Sequence, residues 1–255
     1  MLEVSNVEKR FGGVKAVDGV SFEIERSEIS GLIGPNGAGK TTLFNLVTGL
    51  YRIDSGAIQF EARPIHQMAP HRIAALGISR TFQNIRLFGR LSALENVMVA
   101  RHTRTKSTSL GAVLNTRAFR AEEQMTREKS LELLAFVGLE RFADAPAGDL
   151  PYGEQRRLEI ARALAAEPSL LLLDEPAAGM NETESASLVH LIRRIRDELG
   201  VTILLIEHDM HVVMNLCDRV NVLNFGRLLA KGSPAEIQSN PAVIEAYLGS
   251  DALDA

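Results

Sequence analysis

The run Gly34-Pro35-Asn36-Gly37-Ala38-Gly39-Lys40-Thr41-Thr42 has the residue types and spacing that hold the phosphates of a nucleotide. Gly37 and Gly39 let the backbone curl and come close to a ligand with no Cβ in the way. Pro35 has no N–H, so the donors must be amides between Asn36 and Thr42, at the positive end of the helix that follows. Lys40 would set its ammonium on the outer phosphates, and the Thr41 hydroxyl is suited to ligate Mg²⁺. The plainer reading is a glycine-rich turn that caps a helix. Two motifs further along the chain weigh against it.

The first of these is Leu170-Leu171-Leu172-Leu173-Asp174-Glu175-Pro176. An apolar strand that ends in adjacent carboxylates is costly to bury unless a cation or ligand meets them. The carboxyl end of a parallel strand is where such sheets bind ligands. Asp174 would hold Mg²⁺ through water, and Glu175 would orient and polarise an attacking water, as a general base or close to one. Taken alone, a polar strand end turning at Pro176 would also account for the pair.

These groups need a sheet and a helix to position them, and the flanking pattern supplies both. The run Glu28 to Ile33 reads as a strand leading into the glycine loop, and Leu43, Leu46, Val47 and Leu50 recur at helical spacing after it. Other β-like runs are Val14 to Ile24 and Ala57 to Phe60, broken by Gly12-Gly13, Gly19 and Asp54-Ser55-Gly56. From about Ala69 to Ala145 the signal is mostly helical and more polar. Strand and helix then alternate: Leu170 to Leu173, a helix ending at Leu199, and Val201 to Ile206. The wholly apolar strands imply central parallel strands covered on both faces. A hairpin around Asn224-Phe225-Gly226-Arg227 and short helices complete the chain.

Composition narrows the function classes. The 255 residues are 45% hydrophobic and carry a net charge of −4, which suits a large α/β domain and gives no global nucleic-acid footprint. No stretch of about 20 apolar residues exists to span a bilayer. The first residues, with Glu3 and Glu8, lack the layout of a secretory signal. Cys217 has no partner for an internal disulfide, which suits a reducing cytosol, and it reads as a small packed residue.

The second downstream motif, Leu150-Pro151-Tyr152-Gly153-Glu154-Gln155-Arg156-Arg157-Leu158-Glu159-Ile160-Ala161-Arg162-Ala163-Leu164, resembles the signature of ATP-binding-cassette ATPases, which usually reads Leu-Ser-Gly-Gly-Gln before a basic helix. The order of motifs agrees: phosphate loop, Gln83 within Thr81-Phe82-Gln83-Asn84, signature, Asp174-Glu175, then His208 within Ile206-Glu207-His208-Asp209. Within that family the stretch from Phe82 to Val97, the Tyr152-Gly153 pair and the tail Tyr247-Leu248-Gly249 look most like an ATPase subunit of branched-chain amino-acid importers. The lipopolysaccharide-export ATPase is the nearest alternative.

The resemblance implies an α/β P-loop NTPase fold, that of an ABC ATPase, with a mostly parallel core sheet, an N-terminal antiparallel β subdomain and a helical subdomain. The boundaries it implies are about 1–82 and 168–240 for the RecA-like core with its β subdomain, 84–166 for the helical subdomain, and 241–255 for a short helix and tail. It implies ATP and Mg²⁺ as ligands. Phe11 would stack on adenine, although a strand-end core residue is the other reading. Gln83 would contact Mg²⁺ and the water, and His208 would hold the γ-phosphate and the water. Pro151, Tyr152, Gly153 and Glu154 would face the nucleotide of a second ATPase subunit in a head-to-tail pair.

Two departures from the family pattern stand out. Pro151 replaces the signature serine and has neither hydroxyl nor N–H, so that contact is lost and the site it serves is expected to be weakened. Asn181 replaces the usual aspartate and, with Glu184, also reads as a helix capping box. The ATPase pair is either two copies of this chain or this chain with a sister subunit, and the altered signature favours the sister. Transmembrane permease subunits are the expected receivers of the motion, which places the chain in the cytoplasm, on the inner face of the membrane. Their docking point would be Ile85, Leu87, Phe88 and Leu91, which as a plainer reading simply pack the subdomain. The bases Arg101, Arg104, Lys106, Arg117 and Arg120 read as a solvated loop or as a contact for anionic headgroups. Soluble relatives acting on nucleic acid, or as scaffolds in iron–sulfur biogenesis, are the other function classes. The interval between Lys40 and Gly153 lacks the sustained heptads of the chromosome-type members.

Overall fold

In the computed structural model, residues 1–101 and 116–251 are described. Two compact units emerge: Met1–Gln83 together with the chain from Ser169 onward, and Asn84–Pro168.

The larger unit holds two sheets. In the first, β1 (Leu2–Phe11) pairs antiparallel with β2 (Val14–Ile24) and with β4 (Ser55–Phe60), and β4 pairs with the short β5 (Arg63–Pro64). The second has the strand order β10-β9-β3-β8-β7-β6. Its parallel strands are β3 (Ile29–Ile33), β6 (Ile78–Arg80), β7 (Leu170–Asp174), β8 (Thr202–Ile206) and β9 (Arg219–Asn224). Only β10 (Arg227–Gly232) runs antiparallel, as the return of the β9 hairpin. Every residue of β3, β7 and β8 is buried, as their unbroken apolar runs require.

Helix α1 (Lys40–Val47) ties the sheets together. Its Leu43, Phe44, Leu46 and Val47 share one core with Val4, Val20 and Ile58 of the small sheet and Leu32, Leu172 and Leu204 of the large one. Each such side chain contributes roughly 1.5–3 kcal/mol by leaving water. The helix stops at Thr48, one residue before Gly49 at φ 71°, so Leu50 falls outside it and lies half exposed.

Between Ala69 and Ala145 the described residues are mostly helical, as expected, but after α2 (Pro70–Ala75) the chain also contributes β6, the edge strand of the core sheet, which the periodicity did not show. Three residues are too few for a periodic signal, and the parallel pairing Ile78↔Leu170, Ser79↔Leu171 and Arg80↔Leu172 creates the strand.

The smaller unit is built on α3 (Ala93–Arg101), α4 (Arg117–Phe136) and α5 (Tyr152–Leu164). Fully buried Asn96 accepts from the amide of Phe88 at 2.9 Å and donates to the carbonyls of Phe88 and Ser92, pinning the entry segment to α3. Arg101 is buried and pairs with Glu167 at 3.1 Å, so it leaves the expected basic surface run, whereas Arg117 and Arg120 are exposed on α4. Arg104 and Lys106 lie outside the described residues. No helix among the described residues is long and apolar enough to cross a membrane.

Beyond β7 the chain enters α6 (Glu182–Leu199) through a complete capping box. The Asn181 side chain accepts from the Glu184 amide at 3.0 Å, and the Glu184 carboxylate accepts from the Asn181 amide at 3.0 Å. Asn181→Ala should lower stability by about 1 kcal/mol, and Asn181→Asp should preserve it. The urea midpoint, read with an unchanged m-value, checks both.

Candidate nucleotide site at the carboxyl ends of the parallel strands

The phosphate loop leaves β3 and returns as α1 with little freedom. Gly39, the N-cap of α1, sits at φ 102°, and a Cβ there would run into the carbonyl oxygen of Ala16. The Gly226 amide donates to the Ala38 carbonyl at 3.0 Å, so the tip of the β9–β10 hairpin supports the loop from outside. Asn36, Gly37 and Thr41 are exposed, while Gly34, Ala38 and Lys40 are buried; Pro35, Gly39 and Thr42 are intermediate. The amides of Lys40, Thr41 and Thr42 open a helix and have no carbonyl four residues back to bond within it. The Lys40 ammonium turns onto the carbonyls of Gly34 at 2.6 Å and Pro35 at 3.0 Å. Burial holds its pKa below the usual lysine value, opposed by the nearby charges of Glu175 and Asp174.

The carboxylates arrive on β7. In the parallel ladder Asp174 lies opposite Ile206, and the Glu175 amide donates to the Ile206 carbonyl at 3.0 Å, so both acids emerge level with the end of β8. Glu175 adopts φ 47°, a left-handed conformation that a residue of its kind seldom takes. On the other flank, the Thr81 amide extends the β6 pairing to the Leu172 carbonyl at 2.9 Å. Two residues later the Gln83 amide group donates to the Glu175 carboxylate at 2.9 Å. His208, two residues beyond β8, places Nδ1 at 3.7 Å from the same carboxylate. Gln83, Glu175 and His208, distant in sequence, thus meet around one carboxyl group.

Asp174 has a partner that sequence reasoning missed. Arg80, at the end of β6, donates to Asp174 Oδ2 at 2.7 Å and to the Asn45 side chain on α1 at 2.6 Å. Both members of the ion pair are under a tenth exposed, and the guanidinium lies 5.4 Å from the Phe44 ring centroid and 5.3 Å from that of Phe82. One planar cation therefore links the helix of the phosphate loop to the acid beside it. An arginine two residues after Ile78 and just ahead of Thr81-Phe82-Gln83 was the available signal. Glu207, wholly buried next to His208, was also missed, although it ends an apolar strand as Asp174 does.

Phe11 ends β1 as a residue 44% exposed, its ring edge-on to Tyr51 at 5.2 Å between centroids. It is no core residue, and its position leaves an aromatic surface open. Pro151 is the N-cap of α5, accepting the Gln155 amide at 2.9 Å through its carbonyl, with no side-chain cap. Gly153 is buried, Glu154 stands in the first turn, and half-exposed Tyr152 receives a hydrogen bond from Arg156 at 3.2 Å. These four residues belong to the smaller unit. Cys217 is buried, and burial pushes its thiol pKa up, as expected of a packed residue.

The donor set fits Mg²⁺. Among the described residues no cluster of three or more His, Cys, Asp or Glu side chains could hold a metal alone. The Thr41 hydroxyl, Asp174 and Gln83 offer the few oxygens that Mg²⁺ takes when phosphates and water supply the rest.

Comparison with known proteins decides the family. The model of the family described as ABC transporter matches residues 17–178. The chain belongs to the ABC transporter ATP-binding proteins. A second family model, described as branched-chain amino acid ATP-binding cassette transporter, matches residues 227–252. This ABC ATPase is 47% identical to the high-affinity branched-chain amino acid transport ATP-binding protein BraF of Pseudomonas aeruginosa, over 98% of each chain. It is 44% identical to LivG of Escherichia coli, again over 98% of each. Among solved structures it resembles an ATP-binding cassette of an ABC transporter in its ADP conformation, with 32% identity, a TM-score of 0.85 and 98% of each chain covered. The fold is that of an α/β ABC cassette, as the motif order implied.

Arg80→Ala should destabilise the protein by roughly 3–5 kcal/mol, because it strands the buried carboxylate of Asp174. Arg80→Lys should restore only part of this, since one ammonium cannot span both acceptors in the same plane. Thermal unfolding of the three proteins checks the ranking.

Proposed function

We propose that this chain is the ATP-hydrolysing subunit of a membrane importer for branched-chain amino acids. The observation that carries the hydrolytic reading is the meeting of Gln83, Glu175 and His208 at the strand ends, in the unit that carries the phosphate loop. Relatives at 44–47% identity over nearly the whole chain support import over export or a soluble role.

The loop amides and Lys40 bind the β- and γ-phosphates, and Phe11 takes the adenine. Thr41, Gln83 and a water held by Asp174 would bind Mg²⁺, which supplies charge neutralisation to the phosphates. Glu175 accepts a proton from the water that attacks the γ-phosphorus; the bond to the bridging oxygen breaks, leaving ADP and phosphate. Gln83 orients the Glu175 carboxylate through its amide group. His208 steadies the γ-phosphate and the water.

Closure requires a second ATPase subunit, whose phosphate loop meets Tyr152, Gly153 and Glu154 here. A sister subunit suits this chain, because Pro151 withholds the hydroxyl that a serine would offer. The motion passes to permease subunits at the inner face of the membrane. Phe88 is the proposed contact, half exposed, with the Arg162 guanidinium 5.9 Å from its ring centroid.

In the assembled transporter, Glu175→Gln should lower ATP turnover by about 10²–10⁴-fold. It should retain nucleotide and favour the closed pair, seen by size-exclusion chromatography with ATP. Cells relying on that variant should lose high-affinity uptake of labelled leucine. Lys40→Ala should instead weaken nucleotide binding itself, measured with a fluorescent ATP analogue.

A further inference from the structure

We propose that Glu207 is a positioning residue for hydrolysis: a buried carboxylate that clasps the loop leaving Glu175 to the loop carrying His208. The proposal rests on the hydrolytic reading above and adds to it a residue to which the motif around His208 gave no role.

The Glu207 carboxyl group has no exposure to solvent. One oxygen, Oε1, accepts from the amide of Ala177 at 2.9 Å. The other, Oε2, accepts from the amides of His208 at 3.2 Å and Asp209 at 3.5 Å. Its two oxygens are thus divided between two loops, one starting two residues after Glu175 and one carrying His208.

Placing a carboxylate in a dry interior is expensive, and an apolar residue would fill the space at less cost. What an apolar residue cannot do is accept amide protons from both loops at once. The need is sharp on both sides. Glu175 is held at a left-handed φ of 47°, a conformation that persists only when its surroundings enforce it. The His208 side chain is 61% exposed, so its place at 3.7 Å from Glu175 is set chiefly by the backbone that bears it. Asp209 continues the same fixation by capping α7 (Met210–Leu216), where its side chain accepts from the His211 amide at 2.8 Å.

Glutamine separates clasping from mere space-filling. Glu207→Gln conserves shape, yet its NH₂ group would face an amide N–H on one loop or the other, so one half of the clasp must open. In the assembled transporter, Glu207→Gln should reduce kcat for ATP hydrolysis by roughly tenfold to a hundredfold, the scale of a lost hydrogen bond to a charged group. KM for ATP should stay close to that of the parent, while the unfolding temperature should fall by only a few degrees, the mark of one opened half of the clasp. Introduced into a His208→Ala background, the same change should cost clearly less than it does alone, because one of the two groups it aligns is already gone.

An unchanged kcat would overturn the proposal. So would a rise in KM in step with the loss, or an undiminished loss in the His208→Ala background. Glu175→Gln, assayed alongside, keeps the two readings apart. If it hydrolyses ATP normally, the hydrolytic assignment fails and the clasp with it. If it is inactive while Glu207→Gln is normal, only the clasp fails.

Discussion

Parallel pairing of β6, β7 and β8 is the constraint on which the rest of this structure depends. Register fixes which residues leave the sheet together: Arg80 beside Leu172, and Asp174 beside Ile206. A slip of one residue on any of these strands would turn every side chain to the opposite face and send Gln83, Glu175 or His208 elsewhere. Strands β7 and β8 are buried on both faces, so a slip there would also disturb the packing of their apolar side chains. Apolar packing in the middle of the sheet therefore sets the polar geometry at its edge.

That edge concentrates charge where burial makes charge costly. Lys40, Asp174 and Glu207 are all nearly or wholly buried, and each is matched by a different device. Lys40 bonds the carbonyls of its own loop, Asp174 faces the guanidinium of Arg80, and Glu207 collects backbone amides. On the proposed reading the first arrangement would give way when phosphates bind, because carbonyls are weaker partners for an ammonium than a polyphosphate is. The other two join elements of the fold and have no reason to open. Binding can thus change the loop while the carboxylates remain anchored.

Within the larger unit the small sheet and the β9–β10 hairpin brace the glycine-rich loop proposed to hold the phosphates. Ala16 on β2 and Gly226 at the hairpin tip approach Gly39 and Ala38 so closely that no side chain fits between them. Phe11 stands at the turn of the same β1–β2 hairpin, paired with Val14 two residues from Ala16, against Tyr51 just beyond α1. The residues proposed to meet the phosphates and the adenine are therefore braced by one end of a single hairpin.

Sequence alone determined whatever depends on local composition and spacing. The glycine loop and its lysine, the wholly apolar strands, the acids ending β7 and the Asn181–Glu184 box are all encoded within a few consecutive residues. Motif order was enough to name the family. Tertiary structure decided what arises from pairing across long separations. Ile78–Arg80 becomes a strand only because β7 lies beside it, and Arg80 becomes the partner of Asp174 for the same reason. Glu207 gains one of its three amides, that of Ala177, from a loop thirty residues earlier in the chain. Phe11 could be read as core or as surface until the fold left its ring in the open. Periodicity reports which way a side chain faces within its own element; which groups it meets depends on the register between elements, and only the folded chain sets that.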